Sequence, residues 1–240
     1  MKANKLKVEI WSDVMCPFCY IGKRRFEHAL EQFEHQENID ITWKSFQLDP
    51  AMKSEPGKTL HEYLAERKGF SLERSIQLHD QMTAQAAELG LEYNFDKAKI
   101  ANSFDAHRFS HLAKAEGLQD AAEEALFKAY FTEGKDISDH ATLIALGTQI
   151  GLDAALVKQV LDSDQYAEEV NRDIYEAQQI GARGVPFFVL GDKYAVSGAQ
   201  PSETFLGALE QTWNELGLSN PVVIETSDGA VCSPEDGCEI

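Results

Sequence analysis

A chain of 240 residues, 43% hydrophobic and 26% charged, is long enough to bury a large core in one interrupted domain or two packed ones. Its 22 Lys and Arg stand against 40 Asp and Glu, and a net charge of -18 argues against nucleic acid or an anionic membrane as a main partner. No stretch approaches the ~20 apolar residues of a membrane span, and Glu9, Ser12 and Asp13 break the apolar run a signal peptide would need after the basic N-terminus. The expectation is a cytoplasmic protein.

Val8, Ile10 and Trp11 read as a strand, Ser12 and Asp13 end it, and a helical pattern runs from Pro17 to Leu30 with Phe26, Leu30 and Phe33 facing inward. Cys16-Pro17-Phe18-Cys19 therefore falls where a strand gives way to a helix. Backbone N–H groups at a helix N-terminus stabilise a thiolate, the reactive form of cysteine, and Pro17 suits the first helical turn, where no N–H is needed. This is the chemistry of a dithiol that cycles with a disulfide. The alternation over 39–46 predicts a second strand, completing a β-α-β unit.

From about residue 60 to 181 the spacing turns helical almost throughout. It predicts helices over 60–68, 72–89, 96–116, 119–134 (Phe127, Tyr130 and Phe131 inward), 140–150, 153–163 and 166–180. Glycines at 69, 90, 117, 134 and 151 serve as C-terminal breaks. Ser71, Asp96, Ser138 or Asp139, and Asp153 are the expected N-caps. Strand patterns return at 186–190 and 193–196 around the turn Gly191-Asp192. A last helix runs from Ser202 to about Leu216, with Phe205, Leu209, Thr212 and Trp213 on one face. The chain thus reads as an α/β protein. A thioredoxin-like fold (β-α-β … β-β-α) over 1–56 and 182–218 is interrupted by an all-α insertion over 57–181. A tail over 219–240 follows.

At these residues the sequence resembles the DsbA family, and within it the FrnE-like branch of cytosolic thiol oxidoreductases. The resemblance rests on Ser12-Asp-x-x-Cys-Pro-Phe-Cys-Tyr-x-Gly22, on Gly184-Val-Pro-Phe-Phe188, and on Val196-Ser-Gly-Ala-Gln200. Helical stretches around Asn102-Ser-x-x-Ala-His-Arg108 and Leu126-Phe-x-Ala-Tyr-Phe-x-Glu-Gly134 add to it, as does Asp136-Ile-Ser-Asp139. It spans about residues 6 to 216. It implies a cis Val185–Pro186 bond facing the cysteines, and a substrate chain whose backbone pairs with Val185. Asn102 and His107, with Pro17 and Phe18, are candidates to line the substrate cleft.

On this reading Cys16, at the exposed first turn, attacks a substrate disulfide, and Cys19, one turn further in and buried, resolves the mixed disulfide. No cofactor is expected beyond the redox-active disulfide. The partners would be disulfide-containing or thiol proteins, with glutathione or a thioredoxin-type protein as reductant. The basic triplet Lys23-Arg24-Arg25 reads as a solvated face. Cys232 and Cys238 are separated by turn residues and could form a second redox pair or be incidental thiols. They could also complete a zinc site with Cys16 and Cys19, although a five-residue gap is not the usual knuckle spacing, so no metal is expected. Two other classes compete: a glutathione-dependent isomerase or transferase of small aromatic substrates, and a non-enzymatic chaperone-like binder.

Overall fold

The computed structural model describes residues 5–55 and 57–217, and the backbone alone of residues 232, 233, 237 and 238. Strand β1 (Leu6–Ser12) lies at the centre of a four-stranded sheet of order β2-β1-β3-β4. It pairs parallel with β2 (Ile39–Ser45) and antiparallel with β3 (Phe187–Leu190), which pairs antiparallel with β4 (Tyr194–Ser197). The last pairing sets Leu190 opposite Tyr194, so the connection is three residues, Gly191, Asp192 and Lys193, and not the expected Gly191-Asp192 pair alone; Gly191 and Asp192 adopt positive φ and the Lys193 N–H donates to the Leu190 carbonyl at 3.1 Å.

Alternation along the strands gives the sheet two different faces. Leu6, Val8, Ile10, Phe188 and Leu190 are fully buried toward α1 (Pro17–Gln32) and α9 (Ser202–Glu215). There Phe26 packs on Phe188 and Phe205 with ring centroids at 5.4 and 5.6 Å. Phe205, Leu209, Thr212 and Trp213 are all buried, as the periodicity of that helix predicts. On the other face Trp11 packs with Ala177 and Ala182, and α8 (Ala167–Gln179) covers it.

Between β2 and β3 the chain makes the helical insertion. Its helices are α2 (Leu60–Lys68), α3 (Leu72–Ala87), α4 (Phe104–Ala115), α5 (Gln119–Phe127), α6 (His140–Ile150), α7 (Ala154–Leu161) and α8. The expected caps at Ser71, Asp139 and Asp153 each accept a hydrogen bond from a first-turn N–H, and Gly69 and Gly151 end their helices in the left-handed conformation. Phe127, Tyr130 and Phe131 are buried as predicted, but the helix that carries them passes into a π turn over Lys128–Thr132.

Two expectations are corrected. The helix predicted over 96–116 starts only at Phe104, because Asn102 Oδ1 accepts its N–H at 2.9 Å and Asp96 accepts from His61 Nε2 at 3.1 Å rather than capping a helix. The triplet at 23–25 is no solvated face. Lys23 is buried and ion-paired with Asp120 at 3.2 Å and Glu124 at 3.3 Å; Arg24 pairs with Glu27 at 2.6 Å and also with Glu124. These bridges clasp α1, which carries the cysteines, to α5 of the insertion.

Candidate active site

Cys16 is the N-cap of α1, with Pro17 just inside its first turn. Its own N–H donates to the Asp13 carbonyl at 2.9 Å, and its carbonyl accepts from the Cys19 N–H at 3.0 Å, so one tight turn holds the pair. Both cysteines are thiols. Cys19 is completely buried and Cys16 is only 4% exposed. The expectation of an exposed first turn is therefore corrected. The cover comes from across the sheet: the Cys16 thiol donates to the Val185 carbonyl at 3.5 Å, at a Val185–Pro186 bond that is cis.

Gly22 fixes how closely these two segments approach. A Cβ placed there would sit 2.9 Å from Pro186 Cγ, nearer than real Cβ contacts allow, so the absence of a side chain lets α1 rest against the proline. On the far side of Pro186, its carbonyl accepts from the Gly198 N–H at 2.8 Å, and Arg25 Nη1 donates to the Ala199 carbonyl at 2.5 Å.

The two thiols differ electrostatically. Burial, followed by the hydrogen bond to Cys16, pushes the Cys19 thiol well above its ordinary range, while the Ser12 hydroxyl and the Asp13 N–H oppose that shift. Cys19 therefore holds its proton at neutral pH. Cys16 stands at the N-terminal end of α1, and its thiol makes no capping hydrogen bond to that helix.

Several residues support this turn without having been singled out in the sequence. Asp13 is fully buried; its carboxylate accepts the N–H of Met15 at 3.3 Å and of Leu48 at 2.7 Å, tying the active-site turn to the segment after β2. Tyr93 Oη donates to the Pro17 carbonyl at 2.7 Å. Burial, then the nearby thiols, keeps that phenol protonated far above its usual range. The Ser-Asp break before the cysteines was the one signal for Asp13. Tyr93 had none, because its partner lies 76 positions away.

Of the remaining expected cleft residues, His107 and Asn102 take other positions. His107 is 2% exposed, with Nε2 at 3.6 Å from Asp13 Oδ1. Burial disfavours its charge, but the Asp13 carboxylate outweighs this and holds its pKa above the ordinary value. It supports the turn from beneath instead of facing a substrate. Asn102 spends its side chain on Gln47, on the carbonyls of Pro50 and Met52, and on the Phe104 N–H. Phe18 is partly buried against the core, and Pro17 lines a cavity beside the cysteines.

Cys232 and Cys238 lie on two short strands, β5 (Cys232–Ser233) and β6 (Gly237–Cys238), whose antiparallel register sets Cys232 opposite Cys238. Their side chains fall outside the described residues. Among the described residues no three His, Cys, Asp or Glu side chains gather as a metal site, and no helix is long and apolar enough to cross a membrane.

A thioredoxin-type sheet, a Cys-x-x-Cys at the start of its first helix, and a cis X–Pro bond facing it define a class of thiol oxidoreductase folds. The family described as the DSBA-like thioredoxin domain matches residues 7–210, and the chain belongs to it. Its fold superposes on a probable DsbA oxidoreductase, SCO1869, from Streptomyces coelicolor. The TM-score is 0.83 at 40% identity, covering 98% of this chain and 99% of that one. The chain is also 29% identical over 206 residues to the uncharacterised protein YwbO of Bacillus subtilis (strain 168), covering 84% of this chain and 94% of YwbO. The cytosolic disulfide reductase DsbM from Pseudomonas aeruginosa, solved with GSH, shares the fold at TM-score 0.60 and 16% identity over 88% of this chain and 97% of that one.

Proposed function

We propose that the chain is a FrnE-like thiol–disulfide oxidoreductase of the cytoplasm, working on protein disulfides as reductase or isomerase. The observation that carries this reading is the Cys16 thiol at the start of α1, 3.5 Å from the Val185 carbonyl, with a protonated Cys19 buried behind it.

The Cys16 thiolate attacks one sulfur of a substrate disulfide. The substrate S–S bond breaks, a Cys16–substrate mixed disulfide forms, and the other substrate sulfur leaves as thiolate and takes a proton. Cys19 then gives up its proton and attacks Cys16 Sγ. This releases the second substrate thiol and leaves the pair oxidised by two electrons. Two glutathione thiols or one thioredoxin-type dithiol would return those electrons. The Val185 carbonyl, which the Cys16 thiol engages in the free protein, is the group an extended substrate backbone would pair with once Cys16 reacts. A reducing cytosol favours this direction over net oxidation.

Replacement Cys16→Ser is expected to abolish reduction of a disulfide-bonded protein such as insulin while leaving the thermal unfolding midpoint near that of the unaltered chain. Full turnover in that variant would refute the assignment.

The cross-strand register of Cys232 and Cys238 supports a second proposal, that they form a disulfide exchanging electrons with Cys16 and Cys19. Cysteines opposed across antiparallel strands have Cα atoms about 4.5–5.5 Å apart, within disulfide range. Differential alkylation followed by mass spectrometry should find a 232–238 disulfide after oxidation; finding both tail thiols always alkylated would end the idea.

A further inference from the structure

Two features of the sequence meet at Pro186: the stretch Val196-Ser-Gly-Ala-Gln200 and Arg25, the last cation of the basic triplet. The ladder between β3 and β4 has its outermost rung at Phe187 and Ser197, so Val185 and Pro186 lie beyond it. β1 pairs with β3 no further than Phe187 either. The hydrogen bond that does reach this segment is the one from the Gly198 N–H to the Pro186 carbonyl, at 2.8 Å. Gly198 makes it with φ at +81°, a conformation that glycine adopts without steric cost and other residues do not. The loop then closes on itself. The Gln200 N–H donates to the Gly198 carbonyl at 2.9 Å, and Gln200 Nε2 donates to the Ser197 carbonyl at 2.8 Å.

This loop is anchored on α1. Gly22 and Arg25 are three residues apart and share one side of that helix. A Cβ at position 22 would lie 3.6 Å from the Ala199 Cβ, and Arg25 Nη1 donates to the Ala199 carbonyl at 2.5 Å. Lys23 and Arg24 are paired with Glu27 and with Asp120 and Glu124 of α5. Arg25 has no ion pair among the described residues, although the chain holds 40 Asp and Glu. Its guanidinium is committed to a backbone carbonyl instead, and a hydrogen bond from an ionised donor is roughly twice as strong as a neutral one. Arg25, Ala199, Gly198 and Pro186 thus form a tether. It joins the helix that carries Cys16 to the segment whose Val185 carbonyl the Cys16 thiol reaches at 3.5 Å.

We propose that Arg25 is a positioning residue that fixes the Val185–Pro186 segment against Cys16, and that it thereby favours polypeptide disulfides over small ones. A polypeptide has to pair its backbone with Val185 while its sulfur meets Cys16, so the spacing of the two must be right at the same moment. A displacement of about 1 Å in such an arrangement can cost on the order of a hundredfold in rate. Hydroxyethyl disulfide has no peptide backbone and needs only the thiol. The preference between substrates rests on the thiol–disulfide reading; the tether rests on the hydrogen bonds alone.

The test compares full-length Arg25→Met, which keeps an unbranched stem and good helix propensity but no donor, with Arg25→Lys, which keeps a charged donor. Hydrogen exchange followed by NMR reads the tether itself. In Arg25→Met the Gly198 amide is expected to exchange about tenfold faster or more, the scale set by losing a charged hydrogen bond, relative to the amides of β1. For the preference, the reduced chain is mixed with a disulfide-bonded peptide or with hydroxyethyl disulfide, and formation of the 16–19 disulfide is timed by acid quench and mass spectrometry. The ratio of the two second-order rate constants does not depend on the amount of folded protein. It should fall about tenfold in Arg25→Met and recover most of that loss in Arg25→Lys. Gly198→Ala strains the same tether at its other end, so adding Arg25→Met to it should lower the ratio little further. An unchanged Gly198 amide, an unchanged ratio, a Lys variant no better than Met, or fully additive effects of the pair would each overturn the proposal. If the unaltered chain is oxidised by neither disulfide while the Gly198 amide responds as stated, the thiol–disulfide reading fails and the tether stands.

Discussion

The Cys16 thiol and the Val185 carbonyl meet because nothing larger than hydrogen occupies position 22. Alanine there would gain about 1 kcal/mol of helix propensity, while overpacking against the rigid Pro186 ring costs about 1–3 kcal/mol. The two effects nearly offset each other in stability, so the displacement should show in chemistry instead. Gly22→Ala is expected to lower kcat/KM for disulfide reduction about tenfold or more with a small change in melting temperature, since small misplacements of reacting groups are costly; full activity would contradict the close-packing account. At this scale the sequence was most legible for local chemistry. Cys16, Pro17 and Cys19 could be placed because strand, break and helix are contiguous. Tyr93 could not, since its significance comes from a hydrogen bond to Pro17 across 76 positions. His107 could be noticed but not placed: a helical histidine looks the same in sequence whether it faces a cleft or, as here, lies buried beneath Asp13.

Among the elements, α2 and α3 are joined through a buried histidine pair, His79 Nδ1 to His61 Nδ1 at 2.6 Å, with His79 stacked on Phe95 at 4.3 Å. The unfolded chain takes up a proton on His79 near pH 6.5, whereas the folded chain does so only near about 4. Between those values the unfolded state binds more protons, so folding stability falls as pH drops from about 6.5 to about 4. Urea midpoints should fall between pH 7 and pH 5, and His79→Leu should flatten that fall; an unchanged slope would show that this pair does not govern it. Element assignment from periodicity worked where a helix buries one stripe, as in α9. It overran at 96–103, where helical spacing persists but hydrogen bonds to Asn102 and His61 hold the backbone in a loop. It also misjudged the 23–25 triplet, because Asp120 and Glu124, which with Glu27 pair Lys23 and Arg24, sit on α5, about a hundred positions away.

For the whole molecule, the insertion between β2 and β3 does more than cover the sheet. It supplies Tyr93 to the active-site turn, Glu124 and Asp120 to the clasp on α1, and Leu60, Leu64 and Met82 to the cavity beside the cysteines. The strand order and the position of the insertion were readable because β-period and helix-period patterns occupy separate stretches of chain. The cavity was not, since its lining comes from six separate segments, and no single window carries its signal.

The central claim is that Cys16 forms a covalent intermediate with a substrate disulfide and Cys19 resolves it. The most direct measurement uses the Cys19→Ser chain mixed with a disulfide-bonded protein, quenched with acid and analysed by intact and peptide mass spectrometry. The account predicts a one-to-one mixed disulfide mapped to Cys16 that persists for want of its resolving thiol. A folded Cys19→Ser chain that forms no adduct, or forms one only through Cys232 or Cys238, would contradict it.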